Sequence, residues 1–396
     1  MSVNALIVHG GAPTAVINAS LYGAIHEIKK YKEIGSFYAA IGGAGAVLRE
    51  QFVDLKKISE EKLNMLPYTP ASAIGTSRDP LEQPEYDRIA EILVKWNIRY
   101  VFFNGGNGSM DTCGKVYEAC KKIGKEISVV GIPKTIDNDI SVTDHAPGFG
   151  SAARYIAASV SEISQDVRAL PIHVSVVEAM GRNAGWIAAA SALADDGNGS
   201  GPDFIYLPEK PFDEDQFLTS IENKLQEKKG IVVVASEGLK KKDGSPIVDP
   251  IFKVGRAVYY GDVGTHLANL VIKKLGYKAR SEKPGLCGRA SIAFQSDVDR
   301  EEAIIAGAEA VKAAMQGATG VMVGFKRIPG EIYKAEPMLI PIHEVMMTER
   351  CMPDEYINTE HNGVTKEFVE WCRPLIGQPL REFVTFKNMP FEPFTE

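Results

Sequence analysis

Short apolar segments alternate with longer amphipathic segments along the chain. The apolar segments are rich in valine, isoleucine and phenylalanine, and they occupy residues 3–8, 37–41, 100–103, 127–132, 174–177, 204–207, 231–235, 292–294 and 321–325. Continuously apolar runs, without regular polar alternation, are typical of strands that helices cover on both faces. The pattern therefore predicts an α/β fold with mainly parallel sheets flanked by helices.

The amphipathic segments predict helices at residues 15–30, 86–96, 111–123, 150–167, 214–228, 264–275 and 300–315. Most of them end near a glycine or a lysine, which are common at helix C-termini. Near residues 144–150 a glycine-rich N-terminal part gives way to a second α/β part. We therefore predict lobes at residues 1–148 and 149–330, with some chain returning to the first lobe, and a C-terminal segment at 331–396 that packs back on them.

Composition narrows the classes of protein that fit this fold. The chain has 396 residues, and 44 Lys and Arg against 51 Asp and Glu give a net charge of −7. This balance argues against a surface for nucleic acid or anionic membrane. The N-terminus lacks secretory-signal features and no apolar stretch is long enough for a membrane span, so we expect a cytoplasmic protein. Five cysteines without CxxC spacing predict reduced, mostly packed thiols.

Three glycine-rich turns follow predicted strands in the N-terminal half, at residues 9–13, 41–47 and 104–112. Glycine lets backbone amides approach a phosphate, and a following helix N-terminus adds positive potential. Three such turns at one sheet edge indicate a polyphosphate ligand, although any one alone also fits an ordinary strand-to-helix connection. The dinucleotide fingerprint and the Walker A spacing are both missing, which argues against a dehydrogenase and a P-loop kinase.

The segment GIPKTIDNDI, residues 131–140, concentrates Lys134, Thr135, Asp137 and Asp139 at the carboxyl end of a buried strand. If its backbone is extended, the two aspartates point the same way. One could then accept a hydroxyl proton while the other binds a hydroxyl or a metal-bound water. The alternative is an Asx-turn loop with solvated carboxylates.

Four segments together resemble the phosphofructokinase family: NGGNGS, PKTIDND, VVEAMGRNAGW and VASEG, which begin at residues 104, 133, 176 and 234. Their order and spacing match that family, and the resemblance covers roughly residues 4–325. The chain is most similar to the longer bacterial members, many of which use pyrophosphate in place of ATP. The resemblance implies two similar lobes with the active site in the cleft between them, the phosphoryl donor on the first and the sugar phosphate mainly on the second.

The resemblance further implies a reaction of glycolysis, phosphoryl transfer to the C1 hydroxyl of fructose 6-phosphate with Mg²⁺, in a homodimer or homotetramer. Asp137 resembles the general base, Thr135 and Lys134 contacts to the transferring phosphoryl group, and Arg182 the cation that stabilises its charge. The implied sugar-phosphate ligands are Asp139, Met180, Gly181, Glu237, Arg280, Arg289 and His173. One of the arginines is expected to reach across a subunit interface, although Arg280 fits an exposed surface residue equally well. The implied donor-binding residues are Gly11, Arg78, Gly105, Gly106, Gly108 and Ser109.

Two positions depart from the short ATP-using members of the family. His173 stands where they have an arginine, and a core or interface histidine is an equal alternative there. Asn107 stands where they have an aspartate that holds Mg²⁺ through water; its amide oxygen can serve as a ligand without neutralising the charge. These departures leave open a catalytically silent sensor of sugar phosphate or nucleotide.

The donor depends on two positions that disagree. Gly108 leaves room for the α-phosphate of a nucleotide, where pyrophosphate-using relatives carry an aspartate that repels it. Lys134 is the residue that pyrophosphate users have, whereas short ATP users have glycine. A lysine adds charge without excluding ATP, so we expect ATP as the donor, with a reversible pyrophosphate-dependent phosphotransferase as the alternative.

Overall fold

A computed structural model describes residues 2–170, 172–254 and 257–386 of the chain. Within them the strands are β1 Val3–His9, β2 Ile34–Ala40, β3 Phe52–Asp54, β4 Ile98–Gly105, β5 Ser128–Pro133, β6 Val174–Ala179, β7 Phe204–Tyr206, β8 Ile231–Ser236, β9 Pro250–Val254, β10 Ala257–Tyr260, β11 Ala279–Glu282, β12 Val321–Arg327 and β13 Ala335–Pro341. The α-helices are α1 Ile17–Ile28, α2 Ala44–Leu48, α3 Glu60–Met65, α4 Gln83–Lys95, α5 Asn107–Lys122, α6 Phe149–Ala169, α7 Trp186–Ala190, α8 Glu214–Glu227, α9 Val263–Leu275, α10 Leu286–Ala290, α11 Asp297–Met315 and α12 Lys366–Cys372. Short 3-10 helices lie at Leu55–Lys57, Leu66–Tyr68, Ser191–Ala194, Ile342–Glu344, Asp354–Tyr356 and Arg373–Ile376.

The larger sheet has the strand order β13–β12–β5–β4–β1–β2–β3. Its five central strands are parallel, and β3 and β13 pair antiparallel at the two edges. Side chains of α1 and α11 form the core on one face, around Leu21 and Ala306, while α4 and α5 pack on the other face, around Leu93 and Val116. Both faces are thus covered, which is the physical reason that the strands are continuously apolar.

The smaller sheet is parallel throughout, in the order β11–β6–β8–β7. Helices α6, α7 and α12 cover one face around Phe149 and Trp186. Helices α8 and α9 cover the other face around Phe217 and Leu267. Strands β9 and β10 pair only with each other among the described residues and form a separate hairpin. The predicted fold class, an α/β fold with two mainly parallel sheets flanked by helices, is confirmed.

One predicted strand is wrong. Residues 292–294 form a turn between α10 and α11, in which the Gln295 amide donates to the Ile292 carbonyl at 3.2 Å. The turn half-buries Phe294 without a sheet, because its ring packs edge-on against Tyr155 on α6, with ring centroids 5.5 Å apart. An apolar run this short is equally consistent with a strand and with a packed connection.

The C-terminal part of the chain packs on both sheets. Strand β13 extends the larger sheet, whereas α12 packs on the smaller one, where the Trp371 ring lies 5.1 Å from Trp186 and 5.9 Å from Phe149. The predicted three-part division of the chain stays a prediction. Cys113, Cys120 and Cys372 are buried, and Cys287 and Cys351 are exposed, all as free thiols. Among the described helices, none is both long and apolar enough to span a membrane.

Candidate active site

Three parallel strands of the larger sheet, β1, β4 and β5, end side by side. The register aligns His9 with Asn104 and Gly105 with Pro133, so the segments that follow these strands meet at one edge. A cavity of about 380 Å³ lies there, lined by the turn after β1, the start of α5 and the loop after β5. This is the edge at which open α/β sheets bind ligands.

The glycines of the first and third predicted phosphate-binding turns differ in their roles. A Cβ on Gly105 would lie 2.0 Å from the Ser109 hydroxyl oxygen, so glycine is required for close packing there. Gly11 has a φ of +73°, which favours glycine. At Gly108, by contrast, a Cβ would meet no described atom within 4 Å and would lie in the cavity wall. Gly106 also lines this wall, just before α5, whose N-terminal amides provide a site for an anion.

Arg78 also lines this cavity and lies in the segment between α3 and α4. The carboxylate of Asp79 fixes the position of this segment, because it accepts from the Gly45 amide at 2.7 Å and from the Ser77 hydroxyl. The 41–47 turn, the second of the predicted phosphate-binding turns, thus supports the segment that carries Arg78. Asp79 was missed by the sequence analysis because no strand or glycine pattern marks it.

Lys134 is one of the residues that line the cavity. Its amide donates to the Gly105 carbonyl at 3.0 Å, and its ammonium donates to the Ala12 carbonyl. Only 2% of the residue is exposed. Burial lowers the pKa of this amine to about 8, although the carboxylates of Asp137 and Asp139 oppose the effect. The lysine therefore places a largely protonated amine beside the carboxylates at neutral pH.

The backbone between the two aspartates is not extended, so the condition under which they would point the same way is not met. Asn138 has a φ of +52°, in the left-handed region, and its side-chain oxygen accepts from the Ala146 amide at 3.0 Å. The resulting turn gives the two carboxylates different surroundings. Both aspartates line the cavity, and Asp139 in addition accepts from the Thr135 hydroxyl at 3.1 Å and from the Asn107 side-chain amide at 2.8 Å.

Asp137 has the environment of a general base. Burial raises its pKa to about 7, with further contributions from the carboxylates of Asp139, Glu237 and Glu349 and against the attraction of Lys134. A carboxylate with a pKa close to neutrality is both available to accept a proton and basic enough to do so. Glu237 directly follows β8 of the smaller sheet and Glu349 follows the 3-10 helix Ile342–Glu344, so segments distant in sequence act on the charge of Asp137.

In the smaller sheet, the segments that directly follow β6 and β8 contact each other. The Glu237 amide donates to the Ala179 carbonyl at 2.9 Å, and the Gly181 amide approaches the Glu237 carboxylate at 3.4 Å. Met180 lines a small adjoining cavity with Gly288, next to Arg289 on α10. Burial, together with the nearby charge of Arg78, lowers the pKa of Arg289, while Asp137 opposes this shift. Arg289 is thus electrostatically coupled both to Arg78, which lines the cavity, and to Asp137.

Arg182 is exposed, and its guanidinium lies over the Tyr260 ring with 5.7 Å to the centroid. The tight packing of Gly238, on which a Cβ would lie 1.7 Å from the Arg182 carbonyl oxygen, fixes the backbone at this point. The turn that carries Met180, Gly181 and Arg182 is therefore held in place, while the Arg182 side chain reaches outward.

Two predicted sugar-phosphate ligands lie elsewhere in the chain. Arg280 pairs in register with Ser175, four residues and about 13 Å before the end of β6, and forms an ion pair with Glu282 at 2.7 Å. His173 lies beside it and accepts from the Lys278 amide at 3.2 Å. Neither residue lines the donor cavity within one chain, and both assignments stay predictions.

The polar groups around the cavity suit Mg²⁺, as the family resemblance implies. The side-chain oxygen of Asn107 is buried without a hydrogen-bond partner, and the carboxylates of Asp137 and Asp139 lie on the same cavity wall. Oxygen atoms of this kind are the ligands that Mg²⁺ prefers. No cluster of three or more metal-ligating side chains occurs among the described residues, so a bound Mg²⁺ would depend on phosphate and water for most of its ligands.

Comparison with known proteins identifies the family. The phosphofructokinase family model matches residues 4–314. A pyrophosphate–fructose 6-phosphate 1-phosphotransferase of Rhodospirillum rubrum is 37% identical over 94% of this chain and 94% of its own, and one of Halomonas elongata is 35% identical over 97% and 94%. A crystal structure of a pyrophosphate-dependent phosphofructokinase from Nitrosospira multiformis superimposes with a TM-score of 0.88, at 35% identity, covering 98% of this chain and 94% of that one. With its four motifs assembled around one cleft, the chain belongs to the phosphofructokinase family.

Proposed function

We propose that this protein transfers a phosphoryl group to the C1 hydroxyl of fructose 6-phosphate. The observation that carries this proposal is Asp137, a carboxyl group with a pKa near 7 at the point where the donor cavity meets the residues of the second lobe. Its carboxylate would accept the hydroxyl proton while the sugar oxygen forms a bond to phosphorus and the donor leaves. Catalysis of this reaction is mainly positioning and charge stabilisation.

The remaining residues divide between positioning and charge. Lys134 and Arg182 would stabilise the charge on the transferring phosphoryl group, and Arg289 would hold the 6-phosphate, for which a guanidinium is well suited. Mg²⁺, when bound near Asn107, would neutralise charge on the donor phosphates. Arg280 and His173 would serve the sugar phosphate from a second copy of the chain, and the homodimer or homotetramer remains a prediction.

For the donor, the names of the relatives and the shape of the cavity point in different directions. The relatives of Rhodospirillum rubrum and Halomonas elongata are named as pyrophosphate users, and Lys134 agrees with them, which favours pyrophosphate over the ATP that we expected from the sequence. The space at Gly108 favours ATP. Ala44 and Thr112 line the cavity together with Gly108, and its volume of about 380 Å³ lies within the range of about 300–1,000 Å³ of small-molecule pockets, near the lower end.

We propose ATP as the first donor candidate on the strength of this space, and pyrophosphate as the second. The test measures kcat/KM for each donor in the wild type, in Gly108→Asp and in Gly108→Ala. A Cβ meets nothing there, so both variants are expected to fold. Gly108→Asp would lose at least tenfold in kcat/KM for ATP, because its carboxylate repels the α-phosphate, whereas the uncharged Gly108→Ala control would change little. Wild-type turnover with pyrophosphate alone would refute ATP as the donor.

The same assay decides whether the protein is an enzyme at all. A catalytically silent sensor would bind fructose 6-phosphate without turnover on either donor. Turnover that disappears in Asp137→Ala would exclude the sensor and support Asp137 as the base.

A further inference from the structure

Residues 349–352 connect the two halves of the site, and we refer to them as the bridging segment. They belong to the C-terminal part of the chain, for which the sequence analysis assigned no function. The segment follows the 3-10 helix Ile342–Glu344 and lies between the loop after β5 and the turn after β6. Any role of this segment in catalysis rests on the proposed function, because it concerns the alignment of the catalytic groups.

Arg350 binds the loop that carries the general base. Its backbone amide donates to the Asp139 carbonyl at 2.8 Å, and its Nε and Nη2 donate to the Asn138 carbonyl at 3.2 and 3.1 Å. Its Nη1 donates to the carbonyls of Asp144, at 2.9 Å, and Thr143. Residues 138–144 form neither helix nor strand, so one arginine supplies the partners that a regular ladder would otherwise give these carbonyls.

The other side of Arg350 is fixed by Trp186. The guanidinium lies over the indole ring, 4.7 Å from its centroid, and the indole N–H approaches the Arg350 carbonyl at 3.4 Å. Trp186 is 2% exposed and begins α7, immediately after the turn that contains Arg182. The arginine is therefore held between the loop of the first lobe and a rigid ring of the second.

The neighbours of Arg350 bind the turn that carries Arg182. The carboxylate of Glu349 accepts from the Asn183 side-chain amide at 3.1 Å to each oxygen. The amides of Met352 and Gly185 both donate to one carboxylate oxygen of Glu209, at 3.0 and 2.8 Å. The bridging segment thus contacts residues next to Arg182 while Arg350 contacts residues on both sides of Asp139.

We propose that Arg350 is a positioning residue that sets Asp137 in line with Arg182 across the cleft. It touches neither the cavity nor the reacting atoms, and it acts by fixing the carbonyl of Asn138, the left-handed residue next to Asp137. Its side chain binds three carbonyls, which requires a planar group with several N–H donors that a lysine ammonium does not provide. A displacement of about 1 Å at a reacting group costs about 10²-fold in rate.

The test compares Arg350→Ala and Arg350→Lys with Arg154→Ala as a matched control. Arg154 also donates to C-terminal carbonyls, those of Ile376, at 2.9 Å, and Gln378, and neither of these hydrogen bonds involves the loop after β5 or the turn after β6. The readouts are kcat and KM for fructose 6-phosphate with the donor that the wild type uses, and hydrogen exchange of residues 134–147 by mass spectrometry.

For Arg350→Ala we expect kcat to fall about 10²-fold while KM for fructose 6-phosphate changes less than about threefold, because the loop is displaced but the sugar ligands remain. Exchange in residues 134–147 would become faster, and added guanidinium chloride at non-denaturing concentration would restore part of kcat. Arg350→Lys, which keeps the stem and charge, would lose at least about tenfold in kcat and carries the test if the alanine variant does not fold. Arg154→Ala would match the wild type.

Three results would overturn the proposal: wild-type kcat in Arg350→Lys, an equal loss in Arg154→Ala, or unchanged exchange of residues 134–147 in both Arg350 variants. Failure of the proposed function is a separate outcome, since it would appear as a wild type without turnover on either donor. In that case the exchange measurement still decides whether Arg350 orders the loop.

Discussion

The substitution Asp137→Asn separates function from stability. Asp137 is ionised at pH 8 although burial and three neighbouring carboxylates disfavour its charge. An asparagine keeps the shape of the side chain and removes the charge. We therefore expect the variant to lose phosphoryl transfer, by the roughly 10²–10⁴-fold that a general base contributes, and at the same time to unfold less readily than the wild type.

The size of the stability gain depends on the pKa difference. The carboxyl has a pKa of about 7 in the folded chain against an ordinary value of 3.8, and each pKa unit corresponds to about 1.4 kcal/mol. Because the folded pKa is raised, the folded state holds the proton more tightly, and wild-type stability falls as pH rises from 3.8 through 7. Removing the ionisable group should raise the free energy of unfolding by about 2 kcal/mol at pH 5 and about 4 kcal/mol at pH 8.

The assay is urea unfolding, followed by fluorescence, of wild type and Asp137→Asn at pH 5, 6, 7 and 8. Asp166→Asn is the matched control, because it removes the same charge from an exposed position on α6 and is expected to change stability by less than about 0.5 kcal/mol. The assignment of a destabilised carboxylate to Asp137 would be refuted by any of three results. The increase in the free energy of unfolding could be absent at pH 8, independent of pH, or equal to that of Asp166→Asn.

Two further predictions concern ionisation. The acidic limb of kcat/KM against pH should have an apparent pKa of about 7. Asp139→Asn should move this limb to lower pH, because Asp139 is the strongest charged neighbour that raises the pKa of Asp137. A limb that does not move would contradict this coupling. Away from the site, the buried His145 donates to Asp144 at 2.8 Å and Glu302 at 2.6 Å, and these carboxylates raise its pKa to about 9 against the opposing effect of burial. The charged His145 and its two carboxylates should add up to about 3 kcal/mol to the free energy of unfolding below pH 6.5, and this contribution should be lost as pH rises to 9. Thermal unfolding of the wild type should show that decline, whereas thermal unfolding of His145→Gln should not.

The sequence predicted which candidate site residues lie together where their position depends on features that are local in the chain. Residues 131–140 follow a buried strand, and parallel strands bring their carboxyl ends to one edge, so Lys134, Thr135, Asp137 and Asp139 were found together with the glycine-rich turns. The conformation of the loop between Asp137 and Asp139, by contrast, depends on residues outside this segment, so the local pattern did not predict it. The left-handed conformation of Asn138 depends on Ala146 and Arg350, and the carbonyl that Arg350 binds lies 212 residues away in sequence.

The pattern of apolar runs thus determined the fold class and the order of most strands and helices, and four short motifs indicated the family, because each of these depends on neighbours along the chain. Tertiary structure decided what depends on distant charge and packing: the pKa of Asp137, the burial of Lys134, and the position of Arg280 away from the cavity of its own chain. It also brought residues 349–352 between the loop after β5, which carries Asp137, and the turn after β6, which carries Arg182. No periodicity marks such a segment, since its side chains serve carbonyls and carboxylates that only folding brings within hydrogen-bond distance.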